Sequence, residues 1–353
     1  MKPKGILFTS LVAGLCVTAS LTSFGNEPAK GPSEHSPGRY RMAFASNRTG
    51  DFEVYLMNLD GSGLARLTRR PRSDDFPFCA PDGKSIAVQS EDVAGNTEIY
   101  LMRPDGTGLT NWTRNPSDDL YPRWSPDAAQ IAFMSDRDGN YDIYIGYTQG
   151  PGVIQVTRDA SEDAFPSWRP DVIAFVSDRY GNPEICLTSD DGSFRPTRLT
   201  TNPGVDEFPF WSPDGRWLAY QAEISGNTEI CRIQPDGEGW ANLTRNPARD
   251  ASPSWSPDGH WIAFASNRDG NWNVYKIRPD GAGLARLTDH PSDDVFPTWL
   301  PDGSGLVFRR RAGREGNADI WTVRAGGTGE RQITIHPADD GYVSWLRMPS
   351  ESK

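Results

Sequence analysis

Residues 250–288 read DASPSWSPDGHWIAFASNRDGNWNVYKIRPDGAGLARLT, and this phrase decides the fold. Short apolar runs rich in Trp, Ile, Phe, Val and Tyr alternate with the turn signals Pro-Asp-Gly, Asp-Gly-Asn and Asp-Gly-x-Gly. Runs of this kind between such turns predict four short strands joined by tight hairpins. We call these strands A to D in chain order.

The phrase recurs every 43 to 46 residues along almost the whole sequence. Across the repeats, the strand A position of Trp255 in this phrase is occupied by Cys79, Trp124, Trp168, Trp211, Trp255, Trp299 and Trp345. Four strands in a unit of ~40–45 residues are typical of a propeller blade. The sequence therefore predicts an all-β, seven-bladed β-propeller of four-stranded antiparallel blades. Six blades are the alternative, which would leave the strands of one unit unpaired.

The order of strands predicts how the ring closes. The repeats begin at strand B and end at strand A, so blade 1 is expected to take B, C and D from residues 39–68 and A from around Trp345. Such a shared blade leaves no free sheet edge. We assign the propeller to residues 39–348 and a short tail to 349–353.

The first residues have the features of a secretory signal. Lys2 and Lys4 precede an apolar stretch from Gly5 to Val17, which predicts a signal peptide over residues 1–25; a transmembrane anchor is the alternative. Residues 26–38 are expected to be a flexible lead-in. These features predict a periplasmic or secreted monomer with no membrane span after cleavage.

The net charge and the cysteine content limit the classes of partner and cofactor that are expected. The formal net charge of −11 argues against nucleic acid and leaves basic peptides, cations or neutral polymers. Cys79, Cys186 and Cys231 lie beyond the predicted signal and have no Cys-x-x-Cys spacing, so they are expected to be buried free thiols. No cofactor and no metal site is predicted.

The repeat resembles a known family. Trp255-Ser256-Pro257-Asp258-Gly259, followed by Ile262-Ala263-Phe264, is similar to the TolB-type, WD40-like propeller repeat, and the similarity covers about residues 39–347. The best-known protein of this family is periplasmic and binds peptidoglycan-associated lipoprotein through a six-bladed propeller that follows an α/β domain. The resemblance implies a binding protein of the cell envelope, although seven repeats differ from six blades.

One aspartate opens strand A in every repeat, three residues before the proline site. These residues are Asp74, Asp119, Asp163, Asp206, Asp250, Asp294 and Asp340. We expect them at one mouth of the channel, where a ring of carboxylates would bind a cation or the basic tail of a partner. In the alternative interpretation they cap turns, or pair with Arg48, Arg137, Arg179 and Arg268 as a latch between blades.

The seventh repeat carries a basic cluster. Arg309, Arg310 and Arg311, with Arg314 beyond them, form a patch that would hold a carboxylate or phosphate of a ligand, or else a solvated hairpin tip. The sequence has no Gly-x-Ser-x-Gly elbow, so no enzyme is predicted. The alternative is a metal-dependent lyase acting on oligogalacturonate-type polysaccharide, for which His290 and His336 are fewer than the needed ligands.

Overall fold

The computed structural model describes residues 40–150, 152–311, 313 and 316–348, and these residues form seven four-stranded antiparallel sheets. The seven-bladed prediction is confirmed. The segments predicted as signal peptide, lead-in and tail lie outside the described residues, and these assignments stay predictions. No helix in the described ranges is long and apolar enough to cross a membrane.

The strands follow the predicted A–B–C–D order in every blade. Blade 1 contains β1 (Tyr40–Thr49), β2 (Asp51–Met57), β3 (Ala65–Arg66) and, as its strand A, β28 (Asp340–Arg347). Blade 2 contains β4 (Asp74–Cys79), β5 (Ile86–Glu91), β6 (Thr97–Met102) and β7 (Thr110–Asn111). Blade 3 contains β8 (Asp119–Trp124), β9 (Gln130–Ser135), β10 (Asp142–Tyr147) and β11 (Val153–Gln155). Blade 4 contains β12 (Asp163–Arg169), β13 (Val172–Ser177), β14 (Glu184–Ser189) and β15 (Thr197–Arg198).

The other three blades repeat the pattern. Blade 5 contains β16 (Asp206–Trp211), β17 (Leu218–Ile224), β18 (Asn227–Ile233) and β19 (Ala241–Asn242). Blade 6 contains β20 (Asp250–Trp255), β21 (Ile262–Ser266), β22 (Asn273–Ile277) and β23 (Ala285–Arg286). Blade 7 contains β24 (Asp293–Trp299), β25 (Gly305–Arg311), β26 (Ala318–Arg324) and β27 (Arg331–Gln332).

Blade 1 closes the ring as predicted. Strand β28 pairs with β1 in antiparallel register, with Trp345 opposite Met42 and Ser344 opposite Ala43. Met42 and Phe44, which flank Ala43 in β1, are fully buried. The last strand of the propeller therefore completes the sheet that the first three strands begin.

Hydrogen bonds from strand A side chains join each blade to the next. The indole N–H of each strand A tryptophan donates to a carbonyl oxygen of strand A in the preceding blade at 2.8–3.1 Å: Trp124 to Phe78, Trp168 to Arg123, Trp211 to Ser167, Trp255 to Phe210, Trp299 to Ser254 and Trp345 to Trp299. In blade 2, where Cys79 replaces tryptophan, the Cys79 backbone N–H donates to the Ser344 hydroxyl at 2.9 Å. Each such bond contributes about 1 kcal/mol.

Cys79, Cys186 and Cys231 are buried free thiols, as predicted. Cys186 and Cys231 are fully buried in strand C of neighbouring blades. Burial raises the pKa of the Cys79 and Cys186 thiols to about 12. A thiol with such a pKa stays protonated at neutral pH and is a poor nucleophile or metal ligand.

The antiparallel order of strands divides the loops between two faces. The B–C hairpins and D–A loops lie on one face, which we call the D–A face, and the A–B and C–D turns lie on the other. Neighbouring A strands contact each other, so strand A is innermost and surrounds the channel. Strand A starts at the D–A face, and its first residues therefore surround the channel mouth there.

Candidate functional site

The seven recurring aspartates lie at the start of strand A, as predicted, and all are fully buried. In blade 3 the Arg137 guanidinium donates to Asp119 at 2.8 Å and to the Ser135 hydroxyl at 2.9 Å, and it stacks over Tyr144. The same pair recurs as Arg48–Asp340, Arg179–Asp163 and Arg268–Asp250. Each of these pairs joins the end of strand B or the B–C hairpin to strand A of the same blade. The expectation of a latch between blades is therefore wrong, because the B–C hairpin folds back over strand A of its own sheet.

Three aspartates have other partners. Asp294 is held by Arg310 through two hydrogen bonds of 2.6 and 2.7 Å. Asp74 accepts a hydrogen bond from the Ser90 hydroxyl. Asp206 has no arginine partner and accepts from the Asn202 amide; burial raises its pKa to about 7.

These contacts favour a structural role for the aspartates. A ligand would have to displace an internal partner from a fully buried carboxylate. Binding by this ring stays a prediction.

The arginine cluster of blade 7 divides into two kinds of residue. Arg310 is buried and takes the place of the hairpin arginine, since it binds both Asp294 and Glu330. Arg309 and Arg311 donate to the same Oδ1 atom of Asp339, each at 3.2 Å. Arg314 lies outside the described residues. Arg311 is the most accessible of the predicted three, with 38% of its side chain exposed.

The histidines are not brought together with other ligands. Among the described residues, no three His, Cys, Asp or Glu side chains form a group that could hold a metal ion. His290 accepts a hydrogen bond from the Ser292 backbone N–H through Nδ1, at 3.1 Å. This local contact is typical of a turn.

A ring of aromatic side chains at the mouth was missed by the sequence analysis. The residue two positions after each recurring aspartate of strand A has a positive φ, between 46° and 57°, at a point where the A–B register shifts. These residues, which we call the mouth ring, are Phe76, Tyr121, Phe165, Phe208, Ser252, Phe296 and Tyr342. Positive φ is rare for bulky residues, and its recurrence in all seven blades marks a fixed β-bulge.

Five consecutive members of the mouth ring, from Tyr342 through Phe208, touch each other. The ring centroids of Tyr342 and Phe76 are 4.0 Å apart, those of Tyr121 and Phe165 4.9 Å, and those of Phe165 and Phe208 4.8 Å. Ser252 in blade 6 is the exception, because it places a small polar side chain where the other six blades have an aromatic one. The mouth ring therefore has a gap between blades 5 and 7.

A second departure from the repeat lies beside the ring. The residue directly after each recurring aspartate and its partner on strand B are apolar in most blades, as in Leu120–Met134, Ala164–Val176, Ala251–Ala265 and Gly341–Ala45. Blade 2 instead pairs Asp75 with Gln89, and blade 5 pairs Glu207 with Gln221. We call these the acid–amide pairs. Blade 7 pairs Val295 with Arg309.

Both amides hold the mouth ring of the next blade in the same way. Gln89 Oε1 accepts the backbone N–H of Tyr121 at 2.6 Å, and Gln221 Oε1 accepts that of Ser252 at 2.7 Å. The two glutamine side chains are buried, with 5% and 7% exposed. The acid–amide pairs are thus rigidly placed against the bulge.

The two carboxyl groups of the pairs have no counter-ion. Neither the Asp75 nor the Glu207 carboxyl makes a hydrogen bond or ion pair in the described part of the chain. Burial raises the pKa of Asp75 to about 7, with a further contribution from the Asp74 carboxylate. Burial alone raises the pKa of Glu207 to about 7. Partly buried carboxyls without partners are destabilising, and such groups concentrate at functional sites.

The chain is similar to known proteins that contain this repeat. Residues 242–349 match the family model described as the TolB beta propeller domain. The predicted resemblance to TolB-type repeats is confirmed. The Tol-Pal system protein TolB of Desulfosudis oleivorans is 40% identical over 58 residues, which cover 16% of this chain and 13% of that relative. The match therefore spans a small part of the relative's length.

Solved structures support the same fold. TolB from Acinetobacter baumannii superposes with a TM-score of 0.57 at 19% identity, over 92% of this chain and 89% of that one. Oligogalacturonate lyase from Vibrio parahaemolyticus superposes with a TM-score of 0.65 at 15% identity, over 80% and 86% of the two chains. At these identities the likeness concerns the fold alone, which TolB-type repeats share with an enzyme.

Proposed function

We propose that this protein is a periplasmic or secreted binding protein that holds a protein or cell-wall ligand at the channel mouth of its D–A face. The observation that carries the proposal is the pair of unpartnered carboxyls, Asp75 and Glu207, set beside the mouth ring. Aromatic faces supply contact area at low entropic cost, and polar groups without partners supply orientation.

The opposite face has a different character, which supports this choice of face. Most aspartates of its A–B and C–D turns accept the backbone N–H two residues further on, as in Asp82 to Lys84, Asp258 to His260, Asp60 to Ser62 and Asp280 to Ala282. Such carboxylates are satisfied within their own turn. The partly buried carboxyls of Asp75 and Glu207 have no such partner in the described chain, and they belong to the D–A face.

The proposal is tested by closing the gap in the mouth ring with Ser252→Phe. Phenylalanine or tyrosine occupies the other six positions at nearly the same φ, so the fold is expected to accept this change. The variant and the wild type are immobilised and incubated with envelope extract, and bound components are eluted with salt. We expect the variant to lose the specifically bound component while its melting temperature is preserved.

Leu284→Phe is the matched control, because it also adds an aromatic ring, at a half-exposed position on the opposite face. It is expected to capture the same component as the wild type. Equal capture by Ser252→Phe would show that the ligand does not enter through the mouth.

The alternative function is a metal-dependent polysaccharide lyase. It is favoured by one observation, since carboxyls with a pKa of about 7 are suited to general acid–base catalysis at neutral pH. Incubation with oligogalacturonate and Mn²⁺, followed by ultraviolet absorbance of unsaturated products, tests this function. Product formation that Glu207→Gln abolishes would favour the lyase over the binding protein.

A further inference from the structure

We infer that the acid–amide pairs receive an organic cation, the ammonium or guanidinium group of a basic side chain on the ligand, and that Glu207 and Gln221 form the primary subsite. This inference rests on the proposed function, because it names the group that enters the mouth. Neither pair belonged to the sites expected from the sequence.

The first support is the chemistry of the residues that surround the acid–amide pairs. A cation is attracted by an unpaired carboxylate and by aromatic faces, and both occur here within two consecutive residues, Glu207 with Phe208 and Asp75 with Phe76. Both carboxyls lack a counter-charge in the described chain, so a ligand cation would supply the missing partner. The same acid–amide combination occurs twice, in blades 2 and 5, where the other blades have different residues.

The second support is access. Gln221 binds the backbone N–H of Ser252, and Ser252 is the small member of the mouth ring. The blade 5 pair therefore lies next to the gap. Gln89 binds the backbone N–H of Tyr121, whose ring is buried and packs against Phe76 and Phe165. The blade 2 pair is covered by aromatic rings, so we expect it to contribute less.

Arg309 occupies in blade 7 the strand B position that Gln89 and Gln221 occupy in blades 2 and 5. Its location is consistent with the inference. It lies against Gly341, where a Cβ atom would be 3.3 Å from Nε, and it is bound to Asp339. Its charge is held at blades 7 and 1, beside Tyr342. Repulsion from Arg309 would direct an incoming cation towards the carboxyls of blades 2 and 5.

The test uses three short peptides, acetyl-Gly-Gly-Xaa-Gly-Gly-amide, in which Xaa is lysine, norleucine or Nε-acetyllysine. Norleucine removes the charge and keeps the methylene chain, and acetyllysine replaces the ammonium by a neutral amide. Binding is measured by calorimetry at low salt. We expect the lysine peptide to bind at least about tenfold more tightly than either neutral peptide.

Variants locate the subsite. Glu207→Gln is expected to weaken lysine-peptide binding about tenfold, and Asp75→Asn less. Glu238→Gln, an exposed carboxyl on the opposite face, is the matched control and is expected to have no effect. Affinity for the lysine peptide is expected to rise from about pH 6 to about pH 8, because the carboxyls must ionise to bind a cation.

Three results would overturn the inference: no detectable binding of the lysine peptide at millimolar concentration, equal or tighter binding of a neutral peptide, or an unchanged affinity in Glu207→Gln. Any of these results is compatible with ligand capture that Ser252→Phe blocks. In that case the mouth remains the binding site and only the cation is wrong.

Discussion

Removal of the two unpaired carboxyls should stabilise the propeller at alkaline pH. A pKa of about 7 for Asp75 in place of its ordinary 3.8 corresponds to a penalty of about 4 kcal/mol once the group ionises in the folded state. The same comparison for Glu207, about 7 against 4.5, gives about 3 kcal/mol. Both side chains keep some exposure to the channel, so we expect about half of this sum, about 3–4 kcal/mol, from the double variant Asp75→Asn/Glu207→Gln.

The sign depends on pH. The folded protein binds more protons than the unfolded chain between about pH 4 and pH 7, so these two groups lower the free energy of unfolding progressively as pH rises through that window. The penalty is fully present above about pH 7 and absent below about pH 4. The variant should therefore match the wild type near pH 4 and exceed it near pH 8.

Urea unfolding followed by tryptophan fluorescence at several pH values measures this difference, provided that the transition is two-state and the slope with denaturant is unchanged. Glu238→Gln serves as the control, because it removes an exposed carboxyl on the opposite face. A double variant that is equally or less stable than the wild type at about pH 8 would refute the reasoning. A gain that does not vary with pH would refute it too, since the cause would then be packing rather than ionisation.

Three further predictions concern the scaffold. Asp119→Asn should lower the free energy of unfolding by about 2–4 kcal/mol, because Arg137, with 16% of its side chain exposed, loses its counter-charge. Asp206 has no arginine partner among the described residues, so Asp206→Asn should be neutral or stabilising above about pH 7. Parallel urea titrations of the two variants check both expectations. Deletion of residues 340–347 should abolish cooperative unfolding, as calorimetry would show, because blade 1 loses its strand A; an unchanged melting transition would contradict shared closure. A thiol reagent should fail to label Cys186 in the native protein and label it after denaturation, and rapid native labelling would show that the core opens.

The fold was predictable because its determinants are local. Turn dipeptides and alternating apolar residues specify each hairpin within about 40 residues, and the position of the repeat boundary specifies the closure. Burial of Cys79, Cys186 and Cys231 as free thiols was predicted as well. Because the pattern recurs in seven repeats, the prediction of the fold does not depend on any single blade.

The mouth was not predictable for two physical reasons. The residue before a proline is expected to be extended, so Phe76 and Phe165 gave no sign of the positive φ that defines the bulge. In addition, the aspartate that recurs in every repeat was the most noticeable acid in the sequence, yet it is fully buried and pairs with an arginine of its own blade in five of the seven blades. Asp75 and Glu207 occur in two blades only, and such departures from the repeat were the available signal.

The closure of blade 1 determines when the protein can become native during its synthesis. A ribosome makes Met42 early and its neighbour in the sheet, Trp345, some three hundred residues later. Until residues 340–347 emerge, the nascent chain can form individual hairpins but carries an incomplete first blade. The ring therefore stays open through nearly the whole of translation. For an exported protein, that delay would favour passage through a translocation pore before β28 pairs with β1 and closes the ring.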